Sequence, residues 1–151
     1  MTAQANFVHL DFPSKPENIG FARAAAALFA TQLPFTLDEI EEIKVAVSEA
    51  VSNAVVHAYA GGEGAIRMTL AIEGNSLVVT VEDRGKGIED VEWAKQPTHT
   101  TSPEEHMGLG FVFIREYMND VEIASKVGEG TVVRMVKAAS AASPAPPGRA
   151  Q

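Results

Sequence analysis

Apolar residues recur along this chain with two alternating periods, and the changes of period mark the elements. Val8, Leu10 and Phe12 share one side of an alternating run, which predicts a short strand over Asn6–Phe12, placed at a sheet edge or against a second subunit. Ser14-Lys15-Pro16-Glu17 has the spacing of a capping box with Pro16 in the first turn, and predicts a first helix ending near Gln32-Leu33-Pro34. Thr36-Leu37-Asp38-Glu39 repeats that signature. Behind it Ile40, Ile43, Val47, Ala50, Val51, Ala54 and Val55 recur at helical spacing until Gly61-Gly62, a second helix. From Ala65 the period drops to two, with Ile66, Met68, Leu70 and Ile72 on one face. Glu73-Gly74-Asn75-Ser76 turns the chain into a further strand with Leu77, Val79 and Val81 on one face.

Beyond Glu89 the periodicity lapses. The polar stretch to Met107, with Trp93 and Gln96-Pro97-Thr98-His99-Thr100-Thr101-Ser102-Pro103, is too long for an ordinary connection and predicts a lid or binding loop. Gly108-Leu109-Gly110 then opens a helical run from Phe111 to Met118. Two strands, Val121–Ser125 and Thr131–Val136, flank Gly128-Glu129-Gly130. The segment 138–151, with Pro144, Pro146 and Pro147, reads as a disordered Ala/Pro-rich tail behind a single domain over 1–137.

Composition narrows the function classes. A chain of 151 residues, 46% hydrophobic and 21% charged, holds one core and has no room for two domains. It has no cysteine, which excludes disulfides, thiolate metal sites and a cysteine nucleophile, and fits a reducing cytoplasm. The N-terminus lacks a signal peptide pattern, and no apolar run is long enough to span a bilayer, so no membrane role is expected. A net charge of −8 is wrong for a nucleic-acid surface. Any effect on transcription would run through a protein.

The candidate chemistry lies in two separated pieces. Glu49 and Asn53, four apart on the second helix, share one face. Asn53 offers a carboxamide oxygen to Mg2+, a hard ion that favours oxygen ligands, and Glu49 stands one turn earlier as a base for an attacking hydroxyl. His57 follows near the helix end in a supporting role. Continuing the period of two from Leu77 places Asp83 on the apolar face of its strand. A carboxylate there must have hydrogen-bond donors waiting. Asp83 can accept from the exocyclic amine of adenine, with Gly85 and Gly87 letting the backbone approach the ring. Gly108 and Gly110, at the start of a helix, offer free N–H groups to phosphate. No P-loop is present. Singly each motif is an ordinary helix face, turn or loop; the order Glu-x-x-x-Asn, Asp-x-Gly-x-Gly, polar stretch, Gly-x-Gly is what selects a nucleotide site.

That order resembles the ATPase domain shared by gyrase, heat-shock chaperones, histidine kinases and mismatch-repair proteins, the GHKL or Bergerat fold, over about Asn6 to Lys137. Within it, the stretches Glu42 to Tyr59 and Gly108 to Val121 resemble the anti-sigma-factor serine kinases, the sporulation branch in particular. The resemblance implies an α+β fold, a two-layer sandwich whose mostly antiparallel sheet is covered by helices on one face. It implies a serine kinase that uses ATP with Mg2+ and is left with ADP, Glu49 being the catalytic base and Asn53 the Mg2+ ligand. It places Asp83, Gly85, Gly87, Ile88 and Thr131 around the adenine, and His57, Thr100, Thr101, Gly108, Leu109 and Gly110 with the rest of the nucleotide. Close relatives often carry an arginine near the end of the lid. This chain has Glu105-His106-Met107 there, which makes His106 the candidate contact to the γ-phosphate. The partners implied are a sporulation sigma factor of the F type, an anti-anti-sigma protein phosphorylated on serine, and a second copy in a homodimer. Arg23 and the strand near Val8 are candidate partner surfaces. A stress-response kinase with another partner pair, and a nucleotide-gated binding module without phosphotransfer, are the alternatives.

Overall fold

A computed structural model describes residues 6–59, 62–88 and 103–140, with the backbone alone for 103–107. Five strands form one sheet in the order β1-β2-β3-β5-β4, every neighbouring pair antiparallel: β1 (Phe7–Pro13), β2 (Ala65–Glu73), β3 (Ser76–Asp83), β4 (Asp120–Lys126) and β5 (Gly130–Ala138). Helices α1 (Glu17–Ala30), α2 (Leu37–Asn53) and α3 (Pro103–Tyr117) cover one face. The expected two-layer α+β sandwich is what the chain forms.

Alternation decides which way the sheet faces. Ile66, Met68 and Leu70 of β2, Leu77, Val79 and Val81 of β3, and Val133 and Met135 of β5 are buried against Ile43, Val47, Ala50 and Val51 of α2. A side chain of this size contributes about 1.5–3 kcal/mol on full burial, so α2 is fixed mainly by this stripe. Thr36 caps it: the hydroxyl accepts from Glu39 N–H at 3.1 Å, and Glu39 Oε1 accepts from Thr36 N–H at 2.9 Å. The expected capping box before α1 does not form. Pro16 occupies the cap position without a side-chain bond, because Ser14 Oγ accepts instead from Gly64 N–H at 3.0 Å while Ser14 N–H donates to Gly64 O. Ser14 thus serves the lead-in to β2, not α1.

Three boundaries differ from the periodic reading. The second helix does not continue as α to Gly61-Gly62; α2 ends at Asn53, and Ala54–Ala58 form a π-helical turn. Helix α3 begins at Pro103, several residues before Gly108. At the C-terminal end, β5 includes Ala138, Ala139 is buried, and Ser140 Oγ donates to Glu39 Oε2 at 2.6 Å, so order extends past residue 137. Among the described residues no helix is long and apolar enough to cross a membrane.

Candidate active site

Asp83 closes β3 on the buried face, as strand parity requires. Its donors are present: Gly85 N–H gives to Oδ1 at 2.9 Å, and the Thr131 N–H also reaches the carboxylate. Burial nevertheless pushes the Asp83 carboxyl above the usual carboxylate range, the two N–H groups opposing that shift only in part. Directly across the sheet stands Thr131, buried like Val133 and Met135 behind it on β5.

These residues line a small cleft between sheet and helix, together with Asn53, His57, Gly87, Ile88 and Val81. Ala50, Ala54 and Ala58 form its helical wall, so no large side chain fills the cleft from that side. The π turn anchors the loop after Asp83. Ala58 O accepts from Lys86 N–H at 2.8 Å, and a Cβ at Gly85 would lie 2.0 Å from that same oxygen, so only glycine permits the approach. Tyr59 adds a second tie: its hydroxyl donates to Ala65 O at 2.6 Å and accepts from Arg84 N–H at 2.8 Å. Gly87 has a φ of 79°, a left-handed conformation that favours glycine.

Asn53, which lines the cleft, and Glu49, one turn earlier on α2, converge on Gly110 of α3. A Cβ built at Gly110 would lie 2.8 Å from Glu49 Oε1, 3.4 Å from Asn53 Nδ2 and 3.5 Å from Asn53 Oδ1. Asn53 Nδ2 is buried without a hydrogen-bond partner among the described residues. An orphaned buried amide is costly and points to a ligand. Its carboxamide suits a hard cation through the oxygen, with the amide nitrogen left for an oxygen of the ligand. No group of three His, Cys, Asp or Glu among the described residues could hold a metal alone, so a cation here would share its shell with phosphate oxygens and water.

The free N–H rationale for Gly108 and Gly110 does not hold. Both are buried inside α3, well past its first turn, where helix hydrogen bonds occupy the backbone. Leu109 points away from the cleft and is 40% exposed. Thr100, Thr101 and Trp93 lie outside the described residues, as does the side chain of His106, whose backbone belongs to α3. Arg23 is half-buried and donates to Ser48 Oγ of α2 at 3.2 Å. Sequence reading passed over Ser125 and Tyr59. Ser125 had a signal, since the alternation that half-buries Val121 and Ile123 places a hydroxyl on the inner face of β4. Tyr59, at the mouth of a glycine-rich turn, had none.

Residues 12–137 match the model of the histidine kinase-like ATPase domain. The chain is similar to the anti-sigma F factor of Anoxybacillus flavithermus, 47% identical over 134 residues that cover 87% of this chain and 92% of that one. It is also similar to the anti-sigma F factor of Pasteuria penetrans, 47% identical over 135 residues covering 87% and 90%. Among solved structures, the RsbU and RsbW domains of a Mycobacterium tuberculosis protein superpose with a TM-score of 0.64 at 20% identity, over 88% of this chain and 32% of that chain. The histidine kinase domain of a blue-light activated kinase from Erythrobacter litoralis gives 0.57 at 22%, over 82% and 60%. Identities that low speak to the fold alone.

Proposed function

The chain belongs to the histidine kinase-like ATPase domain family and, within it, to the anti-sigma F factors, and from that premise we propose that it holds a sporulation sigma factor of the F type and uses Mg-ATP to phosphorylate a serine of an anti-anti-sigma partner. The observation that carries the kinase part is the convergence of Glu49 and Asn53 on Gly110, Asn53 lining the same cleft as Asp83 and Thr131.

Asp83 accepts from the adenine amine, Thr131 faces the ring edge, and Gly87, Ile88 and His57 enclose the base. The polyphosphate then runs toward Asn53. When bound there, Mg2+ supplies charge neutralisation on the transferring phosphoryl group. Glu49 accepts the proton of the serine hydroxyl as its oxygen bonds to the γ-phosphorus and the bond to ADP breaks. Gly110 keeps its proposed place beside the phosphates by position, whereas Gly108, Leu109, Thr100, Thr101 and His106 are assigned to the nucleotide by the family resemblance alone. We assign the homodimer contact to β1, where Phe7 and Val8 are 47% and 37% exposed on an edge strand. The protein would act in the cytoplasm, on proteins and not on nucleic acid.

Incubation with γ-labelled ATP and a candidate anti-anti-sigma protein tests this reading. Label on serine is expected. Binding of both partners without serine phosphate would leave a nucleotide-gated binding module instead, and a pull-down across sigma factors distinguishes a sporulation partner from a stress-response one.

A further inference from the structure

Asp83, Thr131 and Ser125 form a single cross-strand row, Asp83 opposite Thr131 between β3 and β5 and Ser125 opposite Thr131 between β4 and β5. Opposed residues share a face of the sheet, so all three side chains lie on the helix side. Ser125 is outside the cleft but joined to it. Its Oγ accepts from Ile88 N–H at 2.7 Å and stands 2.8 Å from Thr131 Oγ1 and 3.2 Å from Gly130 O.

A serine hydroxyl has one proton, which restricts the arrangement. Either Ser125 donates to Gly130 O and Thr131 donates to Ser125, or Ser125 donates to Thr131 and the Thr131 proton is released toward the cleft. The first arrangement satisfies both hydroxyls within the protein. The second makes Thr131 a donor beside the carboxylate of Asp83, so the row presents an acceptor next to a donor. The complementary ligand edge carries a 6-amine beside a ring-nitrogen acceptor, as adenine does, whereas the same edge of guanine carries O6 beside an N1–H. Resting on the adenine-nucleotide reading above, we propose that Ser125 is a positioning residue for purine recognition: fixed by the Ile88 N–H, it donates to Thr131 and turns the Thr131 proton toward the ring nitrogen.

The test is equilibrium binding of ADP and of 1-deaza-ADP, which keeps the amine and replaces the ring nitrogen with C–H, by wild type, Ser125→Ala and Ser125→Thr. One hydrogen bond of ordinary strength corresponds to about 3- to 10-fold in affinity. Wild type should prefer ADP by about that factor, Ser125→Ala should lose most of the preference by weakening ADP more than the analogue, and Ser125→Thr should restore it. Equal weakening of both ligands by Ser125→Ala would reduce Ser125 to a structural tie on the Ile88 loop and overturn the proposal, as would a wild type without preference. If wild type binds neither ligand, the nucleotide reading itself fails and this proposal with it. Thermal unfolding of the variants confirms that the comparison is between folded proteins.

Discussion

Gly110 of α3 lies so close to Glu49 of α2 that a Cβ at position 110 would stand 2.8 Å from Glu49 Oε1. The atom in the way is the far end of a flexible side chain, so Gly110→Ala would displace the carboxylate and leave the helices packed. Alanine is favoured over glycine in a helix interior by about 0.8–1 kcal/mol. The expected result is an unchanged or raised melting temperature with phosphotransfer lowered roughly 100-fold, the scale of a 1 Å misplacement in an active site. A variant that is stabilised and fully active would show that the placement of Glu49 is not required.

Glu49→Gln keeps the length of the side chain and its capacity for hydrogen bonds but removes its basicity. Phosphotransfer should fall by roughly 10²- to 10⁴-fold, while ADP affinity and thermal stability stay at the wild-type level. Single-turnover transfer from labelled ATP, run beside an ADP titration, checks both halves.

Asp83 links pH to stability in the opposite direction from a paired carboxylate. Its folded-state pKa is raised by burial from the ordinary 3.8, so as pH falls the folded protein takes up this proton before the unfolded chain does. Asp83 therefore costs stability at neutral pH, and the cost is relieved on acidification through the raised pKa. Unliganded Asp83→Asn should melt at or above the wild-type temperature at neutral pH, with the difference shrinking in mildly acidic buffer. It should also lose the ligand shift, which for wild type at 100 times the ADP dissociation constant is about 2.7 kcal/mol. An undiminished shift in the variant would remove Asp83 from the base pocket.

Tyr59→Phe deletes the hydroxyl that joins Ala65 O to Arg84 N–H. Losing this bridge should cost about 1–3 kcal/mol and loosen the loop that follows Asp83. The kinetic signature expected is a raised KM for ATP at unchanged kcat, since Glu49 and Asn53 are untouched. A fall in kcat with KM unchanged would place the effect at Glu49 and Asn53 instead.

Much of this was legible in the sequence because it depends on local rules. The period of two put Asp83 on the buried face, where it lies, and the Thr36 capping box formed as its spacing required. The features that escaped depend on partners distant in the chain. Ser14 has the spacing of a cap, yet its oxygen is taken by Gly64, fifty residues later. Gly108-Leu109-Gly110 looks like the beginning of a helix because glycine usually interrupts one, but α3 runs through it, packed against α2 where a side chain at Gly110 would meet Glu49. Ser125 reads as an ordinary strand residue until the sheet order places it beside Thr131.

The π turn at Ala54–Ala58 makes the distance between the two ends of the site a matter of counting. A turn closed by i→i+5 bonds holds more residues than an α turn. The π turn already absorbs the extra residue, so inserting another between Asn53 and Tyr59 would rotate everything beyond by about 100°. The Ala58 carbonyl would leave Lys86 and Gly85, and Tyr59 would leave Arg84. The segment thus works as a ruler: its exposed side chains, Val56 among them, are free to vary, whereas the number of residues between Asn53 and Tyr59 is not.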